Sequence, residues 1–373
     1  MLQRTAIVVG AGIAGLAAAR ALAMRGYKVT VIERTQKAVG ASIRNFGMII
    51  PVGQPDGKYY ERAMLSRAIW KQVCEDAGIW YNEVGSLQLA YAGDEWQVLQ
   101  EVKESYPDRN YKLLNPDETI NKSGAVVREG LKGGLYSSDE IIIDPRKAIA
   151  TLPLWLAEKY KVEFIWGKAG TDVCYPAVYA GKEQFNADEI YVCSGADFET
   201  LYPELFSQLP ITRCKLQMMR LAAQPENWRI GPMLCGALSL IHYSSFKVAD
   251  TLEQLKKRLE AEYPEYLQYG IHVMVSQNEA GELSVGDSHE YGLTHDPFDK
   301  SFINDLILSY LDKFAKFKNN RVIETWNGIY PKLTNGEIDV ILEPENGVTI
   351  VNGLGGAGMT FSFGLLEQLI GQK

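Results

Sequence analysis

The first 34 residues carry the feature that most constrains the fold of this chain. An apolar run at 5–10 leads into glycines at positions 10, 12 and 15, followed by a segment rich in alanine and leucine. Gly26 ends that segment, and a second apolar run follows at 29–32. This order predicts a strand, a glycine turn, a helix and a second parallel strand, a unit that needs helices over both faces of its sheet. We therefore predict a Rossmann-like α/β domain with a parallel sheet.

The glycine spacing in "VVGAGIAG" matches G-x-G-x-x-G, and each glycine has a physical reason. Gly10 permits the tight turn, Gly12 lets a pyrophosphate approach the backbone, and Gly15 lets the helix pack closely on the strand. Glu33 ends the second strand, where an acidic side chain can accept hydrogen bonds from a ribose diol. The motif predicts a dinucleotide site and does not separate NAD from FAD. The alternative is a tight strand–helix turn that holds no ligand.

Composition excludes some classes of protein. The 373 residues carry a formal net charge of −8 without a block of basic residues, which argues against a nucleic-acid surface. The five cysteines are odd in number and lack CxxC spacing, which favours reduced thiols in a cytoplasmic protein and no zinc site. The N-terminal apolar segment would also suit a signal peptide, but a glycine turn and a second strand follow it. No stretch is apolar and long enough to predict a membrane span.

The pattern along the chain predicts two interleaved domains. Amphipathic spacing predicts helices over 59–77, 250–262 and 298–317, and another begins at Asp144 and Pro145, with a kink expected at Pro153. The stretches 162–166 and 189–195 resemble sheet strands, whereas alternating segments after Thr212 suit an antiparallel sheet. The parallel sheet domain is assigned to 1–84, 141–212 and 322–373. A second domain with a mostly antiparallel sheet is assigned to 85–140 and 213–321.

A second glycine-rich loop, "NGLGGAGMTFSFG", opens the last helix of the chain. Backbone N–H groups and the positive end of a helix dipole stabilise negative charge that lies close to them. The loop therefore suits a second contact to the same anionic ligand. The alternative is a helix entry whose glycines serve packing alone.

Three segments resemble the D-amino-acid oxidase and glycine/sarcosine oxidase family of FAD-dependent oxidoreductases. After Glu33, "ERTQKAVGASIRNFGMI" is similar to the family's small-Ser-x-Arg-Asn-x-Gly segment, which runs along the pyrophosphate and reaches the flavin. The terminal loop is similar to its Gly-x-Gly-Gly/His-x-Gly-φ-Thr motif, and "VCSGA" at 192–196 is similar to its mid-chain strand end. NAD-type dehydrogenases lack the terminal motif, so the resemblance implies FAD.

The resemblance also implies which residues hold the cofactor. These are Gly10, Ala11, Gly12, Ile13, Ala14, Gly15, Glu33, Arg34, Ser42, Arg44, Asn45, Phe46, Gly47, Val173, Ser194, Gly195, Gly355, Gly356, Gly358, Met359 and Thr360. No cysteine lies between 236 and 373, where some sarcosine oxidases attach their flavin, so the FAD is expected to be noncovalent.

The family oxidises a small amine by hydride transfer from the α-carbon to flavin N5, and water then hydrolyses the imine. Oxygen or a quinone reoxidises the flavin. Such a step depends on positioning more than on an acid–base side chain, so no catalytic triad is expected. The candidates for the substrate pocket are Met48, His242, Tyr243, Tyr330 and Lys332.

The chain departs from the family at the residue that grips a substrate carboxylate. Related enzymes read W-x-G-x-R-P, whereas "WNGIYP" places Tyr330 where the arginine stands. A tyrosine offers one hydrogen bond and no charge, so the bidentate carboxylate contact is lost. The anionic group of a substrate would then be held by Lys332, His242, Arg213 or Lys215.

Two further segments, "LIHYSSFKV" and "GDSHEYG", resemble a bacterial subgroup linked with aminoalkylphosphonate breakdown. That resemblance makes an aminoalkylphosphonate, or an N-methylated analogue, a candidate substrate. The first segment would also suit an ordinary strand, and His289 with Glu290 a hydrogen-bonded structural pair. The alternatives for function are an oxidase of glycine, sarcosine or D-amino acids, an NAD(P)-dependent dehydrogenase, and a non-catalytic flavin-binding subunit.

Overall fold

The computed structural model describes residues 3–372. Its strands are β1 Thr5–Val9, β2 Lys28–Glu33, β3 Met48–Ile49, β4 Tyr81–Asn82, β5 Ser86–Ala90, β6 Tyr111–Leu114, β7 Gly133–Ser137, β8 Ile141–Ile143, β9 Glu163–Trp166, β10 Asp172–Cys174, β11 Ala177–Ala180, β12 Glu183–Asn186, β13 Glu189–Val192, β14 Ile211–Leu221, β15 Met233–Cys235, β16 Met274–Gln277, β17 Leu283–Gly286, β18 Glu290–Gly292, β19 Val322–Leu333, β20 Val340–Glu345 and β21 Val348–Asn352.

The helices are α1 Ile13–Met24, α2 Lys58–Ala77, α3 Gly93–Ser105, α4 Pro116–Lys122, α5 Pro145–Tyr160, α6 Pro203–Gln208, α7 Leu252–Glu262, α8 Pro264–Gln268, α9 Ser301–Phe314 and α10 Gly358–Gly371. Short 3-10 turns lie at Ala41–Ile43, Pro51–Gly53, Pro225–Asn227, Ala237–Ser239, Ser244–Val248 and Gly355–Ala357. Among the described residues, no helix combines the length and the apolar run that crossing a bilayer would require.

The predicted parallel sheet is confirmed. Six strands lie in the order β20-β21-β13-β1-β2-β9, and all neighbours pair in parallel except the edge strand β20. Side chains alternate along β1, so Ala6 and Val8 enter one buried cluster while Ile7 and Val9 enter the cluster on the other face. Helices α1, α2 and α10 pack together on one face of this sheet. Val178 of β11 and Phe206 of α6 belong to the buried cluster on the other face, so both faces are covered, as a parallel sheet requires.

A second, nine-stranded sheet forms the other half of the molecule. Its order is β18-β14-β17-β16-β15-β5-β7-β6, with β19 also paired to β14, and most neighbours are antiparallel. One strand differs from the predicted division into two domains. Strand β19 lies in the segment 322–373, which was assigned to the parallel-sheet domain. It pairs with β14 from Ile211–Leu333 to Leu221–Val322, so its hydrogen bonds place it in the nine-stranded sheet.

Three local expectations have different outcomes. Helix α5 runs from 145 to 160 as one helix with Pro153 inside it, and the kink expected at this proline stays a prediction. The segment containing "HYSSF" is a 3-10 turn at Ser244–Val248, and its reading as a strand is wrong. The start of α5 is as expected, since the Asp144 carboxylate accepts hydrogen bonds from the N–H groups of Arg146 and Lys147 at 3.0 and 3.3 Å.

Candidate active site

The N-terminal glycine loop has the geometry that the motif predicts. Gly10 has φ +101°, and a side chain there would meet the carbonyl oxygen of Cys193 at 2.4 Å. A Cβ at Gly15 would lie 1.8 Å from the oxygen of Gly10, so this glycine is required for the helix to pack on the strand. A Cβ at Gly12 would meet only the Ser42 hydroxyl, at 3.2 Å. Gly12 therefore borders open space where a ligand can approach the backbone.

Glu33 lies beside that loop at the end of β2. Its Oε2 accepts a 2.9 Å hydrogen bond from the N–H of Ala11, and its Oε1 accepts from the hydroxyl of Thr35 at 2.8 Å. These contacts hold the carboxylate at the carboxyl edge of the sheet. Ligands of open α/β sheets bind at this edge, and the carboxylate is placed for a ribose diol.

The segment after Glu33 brings Ser42 and Arg44 against the same loop. Ser42 Oγ accepts a hydrogen bond of 2.9 Å from the N–H of Ile13, and Arg44 donates to the carbonyl of Asn327 at 3.1 Å. Asn45 Oδ1 accepts from the N–H of Gly47, which has φ +72°. A Cβ at Gly47 would lie 2.0 Å from the oxygen of Ile143, so this glycine permits packing on β8.

Two cavities meet at this segment. One, of about 880 Å³, lies over the carboxyl ends of β1 and β2, and the other, of about 370 Å³, extends between the two sheets. Both are bordered by Gly12, Ser42, Arg44 and Gly195, so they form one continuous groove. The groove suits an elongated dinucleotide. Glu33, the expected partner of a ribose, lies at one end of the groove, and the nine-stranded sheet lies at the other.

Most of the predicted cofactor residues border the groove. These are Gly10, Gly12, Ile13, Ala14, Glu33, Arg34, Ser42, Arg44, Asn45, Phe46, Ser194, Gly195, Gly355, Gly356, Gly358 and Met359. The predicted residues that do not border it are Ala11, Gly15, Gly47, Val173 and Thr360.

The reasons for these differences are local. Val173 lies on the small sheet β10-β11-β12, and the wall at that end is formed by Ala169 and Gly170 instead. Thr360 is buried, and its hydroxyl accepts a hydrogen bond of 3.1 Å from the N–H of Ile50. Thr360 therefore supports Ile50, a residue of the cavity wall, from behind.

The C-terminal loop closes the smaller cavity. It borders the cavity from Gly353 to Met359, in the 3-10 turn and first residues of α10. Trp70 Nε1 donates a 2.8 Å hydrogen bond to the carbonyl of Met359, which anchors the start of the helix. Asn352 joins this loop to the mid-chain strand end, since its amide donates to the oxygen of Gly195 at 2.9 Å. The three segments singled out in the sequence thus meet at one groove.

Four of the five predicted substrate residues line the smaller cavity, namely His242, Tyr243, Tyr330 and Lys332. Met48 does not border the cavity, because its side chain is buried in the core on β3. Tyr330 is buried on β19, and its hydroxyl would lie 3.4 Å from a Cβ built on Gly356. Burial raises the pKa of Tyr330, so this phenol is neutral and can donate a hydrogen bond.

Of the four expected anion partners, two are engaged elsewhere. Arg213 pairs with Glu199 at 2.5 Å, and Lys215 donates to the carbonyls of Asp296 and Phe298 at 2.8 and 2.7 Å. Lys332 and His242 face the smaller cavity instead, together with Lys247. Within residues 3–372, neither Lys247 nor Lys332 forms an ion pair.

The smaller cavity also holds a stack of three histidines. The rings of His242 and His272 are 3.7 Å apart with an angle of 30° between their planes, and the His289 ring lies 5.0 Å from His272 at 16°. A metal ion needs lone pairs that converge in the ring planes, whereas near-parallel rings direct them side by side. We therefore assign the cluster no metal, although its nitrogens lie within 4.8 Å of one another.

Burial controls the charge of this stack. His272 and His289 are buried, whereas His242 is exposed where it borders the cavity. Burial lowers the pKa of His272 and His289, that of His289 to about 4, and the charge of Lys332 lowers both further. These two histidines are therefore neutral at physiological pH.

Sequence reasoning did not place Lys247, His272 or Asp287 in the site. His272 precedes β16 and Asp287 follows β17, and the two backbones exchange hydrogen bonds of 3.2 and 3.0 Å. The expected pairing of His289 with Glu290 is wrong, because His289 contacts Gly270 and Asp287. Alternation along "GDSHEYG" places Asp287 and His289 on one side, which was the available signal.

The fold and the site define a flavin-dependent oxidoreductase. A family model described as FAD dependent oxidoreductase (DAO) matches residues 5–369, and the chain belongs to that family. Glycine oxidase from Geobacillus kaustophilus has a similar structure, with a TM-score of 0.79 and 17% identity over 100% of this chain and 96% of that one. L-proline dehydrogenase from P. horikoshii gives a TM-score of 0.77 and 19% identity over 99% and 92%.

A similar sequence belongs to the tRNA 5-methylaminomethyl-2-thiouridine biosynthesis bifunctional protein MnmC of Chromobacterium violaceum. It is 30% identical over 248 residues, which cover 63% of this chain and 36% of that protein. The chain thus spans about a third of the length of the curated relatives it matches. These likenesses agree with FAD as the cofactor and with an oxidoreductase, and the groove described above suits that cofactor.

Proposed function

We propose that this oxidoreductase oxidises the C–N bond of a small amine that carries an anionic group at its other end. The candidate substrate is an aminoalkylphosphonate or an N-methylated analogue. Bound FAD supplies the acceptor for the hydride that leaves the α-carbon. The protein binds and orients the amine, and water hydrolyses the resulting imine.

The observation that carries this proposal is a pair of lysines with no ion-pair partner among the described residues, Lys247 and Lys332, on the wall of the smaller cavity. Burial lowers the pKa of Lys332, and the charge of Lys247 lowers it further. Lys332 is half-buried and Lys247 is exposed beside it, so an anion bound in the cavity would offset both the burial of Lys332 and the repulsion between the two charges. A phosphonate dianion offers two charges and three acceptor oxygens, which match two lysines better than one carboxylate does.

Tyr330 supports the same choice of substrate. It occupies the position of the arginine that grips a carboxylate in related enzymes, and it provides one neutral hydrogen bond. Lys332 lies two residues further along β19, beside Gly355, where a Cβ would meet its Cδ at 3.6 Å. The anion-binding charge is thus displaced from the usual position toward the C-terminal loop.

Three other functions compete with this one. A carboxylate substrate such as glycine or sarcosine is favoured by the likeness to glycine oxidases, and a methylaminomethyl-uridine by the likeness to the MnmC proteins. A non-catalytic flavin-binding subunit would bind FAD and oxidise none of these. The net charge of −8 makes a tRNA surface the less suitable of the substrate classes.

The test is anaerobic flavin reduction by a panel of amines. Purified, yellow protein would be mixed with 2-aminoethylphosphonate, its N-methyl analogue, glycine, sarcosine, D-alanine and 5-methylaminomethyl-uridine, and loss of the flavin absorbance would be followed. We expect the phosphonates to reduce the flavin fastest at equal concentration. Propylamine, which lacks the anion, is the matched control and should be slow.

Each other outcome selects a different function. Equally fast reduction by glycine or sarcosine would refute the argument from Tyr330 and the two lysines. Reduction by the uridine alone would assign the chain to nucleoside oxidation, and reduction by none would favour the non-catalytic subunit. Admitting oxygen or a soluble quinone after reduction then identifies the electron acceptor.

A further inference from the structure

A buried carboxylate lies in the wall of the smaller cavity, between two of the histidines. Asp287 is 5% exposed, and its two oxygens lie 3.3 Å from His272 Nε2 and 3.7 Å from His289 Nε2. Its Oδ1 has no hydrogen-bond partner within the described part of the chain. A buried oxygen left without a partner is costly, and the Asp287 side chain borders the cavity, so a cationic group bound there lies close to this carboxylate.

The tautomer of His289 shows that this carboxylate is placed to take a proton. His289 Nδ1 lies 2.8 Å from the carbonyl oxygen of Gly270, which only accepts, so Nδ1 carries the hydrogen. In neutral His289 the lone pair is then on Nε2, which faces Asp287 Oδ2. Two lone-pair atoms that face each other in a buried site repel, and a proton taken up by the carboxylate relieves this repulsion.

A group of this kind lets the enzyme use the ammonium form of its substrate. An alkylamine reaches the enzyme as an ammonium ion, which has no lone pair on nitrogen. The α-carbon can release a hydride only when the nitrogen supplies an electron pair to form the C=N bond. One proton must therefore leave the nitrogen before or during the hydride transfer.

We propose that Asp287 accepts this proton from the bound substrate ammonium, with the rings of His272 and His289 packed beside its two oxygens. The inference rests on the proposed function. The N–H bond breaks and the proton passes to the carboxylate. The nitrogen lone pair then forms the C=N bond as the C–H electron pair leaves with the hydride for the flavin, and the products are an iminium ion and a protonated Asp287.

The surrounding charges direct the proton to the carboxylate. The titratable groups around Asp287 are the three histidines, the phenols of Tyr243, Tyr291 and Tyr330, and the thiol of Cys214. Burial lowers the pKa of His272 and His289 and raises that of Asp287 well above its ordinary value. The charge of Lys332 lowers the pKa of the two histidines further, so proton affinity shifts from these rings to the carboxylate.

The test is the pH dependence of flavin reduction at saturating substrate in wild type and Asp287→Asn. In the variant only substrate that is already neutral can react, so the rate should rise about tenfold per pH unit up to the pKa of the amine. Because roughly one alkylamine in a thousand is neutral near pH 7, reduction there should slow by about 10²–10³-fold. Glu337→Gln, which removes the other carboxylate of this cavity, should keep the wild-type pH dependence.

An Asp287→Asn variant with the wild-type pH dependence would overturn the inference. Flavin content and melting temperature identify a variant that has lost its fold, and His289→Gln then provides a second test, with a smaller change in the same direction.

If no amine reduces the wild type, the proposed function fails. Nitrogen NMR of the histidines then tests the inference separately. The inference requires that neutral His289 carries its proton on Nδ1, and that the pH titration of this ring shifts in Asp287→Asn. Identical titration in both proteins would contradict it.

Discussion

The hydroxyl of Ser42 accepts a hydrogen bond of 2.9 Å from the backbone N–H of Ile13, in the first turn of α1. This contact joins the segment after Glu33 to the glycine loop at the point where the two cavities meet. It also defines the space above Gly12, since a Cβ there would meet only this hydroxyl, at 3.2 Å. Gly12 is therefore needed for ligand binding, whereas Gly15 is needed for the packing of α1 on β1.

Gly12→Val should abolish FAD retention while leaving the protein folded. The added side chain enters the groove, where the pyrophosphate approaches the backbone, and its Cβ would meet only the Ser42 hydroxyl, at 3.2 Å. The ratio of flavin to protein absorbance after purification measures retention, and circular dichroism measures the fold. A yellow, stoichiometrically loaded variant would contradict the assignment of this loop.

Gly15→Val is the matched comparison three residues away. Its Cβ would lie 1.8 Å from the oxygen of Gly10, so α1 must separate from β1. We expect insoluble or unfolded protein, with a loss of stability larger than the ~5 kcal/mol that exceptional substitutions cause. If both variants lost the fold, or both stayed folded without FAD, Gly12 and Gly15 would not have the separate roles assigned to them.

The parts of the site that could be predicted from sequence are the local ones. Gly10 and Glu33 belong to one βαβ unit, whose geometry follows from strand, turn and helix signals within about 30 residues. His272 and Asp287 are adjacent only because β16 and β17 pair with Met274 opposite Gly286. The register of an antiparallel pair depends on the turn and on packing across the sheet, so a single sequence does not reveal which side chains meet.

Contacts between distant parts of the chain also explain two local features, the continuation of α5 through Pro153 and the sheet to which β19 belongs. A proline inside a helix costs a hydrogen bond and often ends the helix, but α5 buries Leu152 and Leu156 and continues through Pro153. Tertiary packing outweighs the local penalty there. The assignment of β19 failed for a similar reason, because its eleven pairings with β14 are contacts with a segment about a hundred residues earlier.

Lys332→Met should weaken binding of an aminoalkylphosphonate without weakening binding of propylamine. The lysine has no ion pair within residues 3–372, so its removal leaves no buried carboxylate unpaired. Loss of one charged hydrogen bond corresponds to about 1.5–3 kcal/mol, or a rise in Kd of roughly 10–100-fold. Anaerobic titration of the flavin spectrum measures Kd, and Lys182→Met, on an exposed turn, is the control. An equal loss for both ligands would place Lys332 outside the anion site.

A single cysteine should react with a thiol reagent in the folded protein. Cys174 is exposed, whereas Cys74, Cys193, Cys214 and Cys235 are buried. Burial raises the pKa of each of these four to about 12, so their thiolate fraction at pH 8 is negligible. Titration with a chromogenic disulfide should give one fast thiol, none in Cys174→Ser, and all five after unfolding. Two or more fast thiols in the wild type would contradict the packing.

Glu140 should make the stability of the protein depend on pH in the direction opposite to that of most carboxylates. It is fully buried between the N–H of Val52 and the hydroxyl of Ser86, both at 2.9 Å. Burial raises the pKa of Glu140 from its ordinary 4.5 to about 7. Between these values the folded state holds a proton that the unfolded state has released, so the free energy of unfolding falls as pH rises.

The Glu140→Gln variant removes this dependence, because the amide is neutral at every pH. The difference in free energy of unfolding between wild type and variant should therefore decrease by roughly 2–3 kcal/mol from pH 4.5 to pH 7.5, and change little below that range. Urea unfolding at several pH values measures it, with Glu104→Gln, an exposed position, as the control that should follow the wild type. A constant difference across the range would show that Glu140 is ionised in the folded protein and that its two hydrogen bonds compensate its burial.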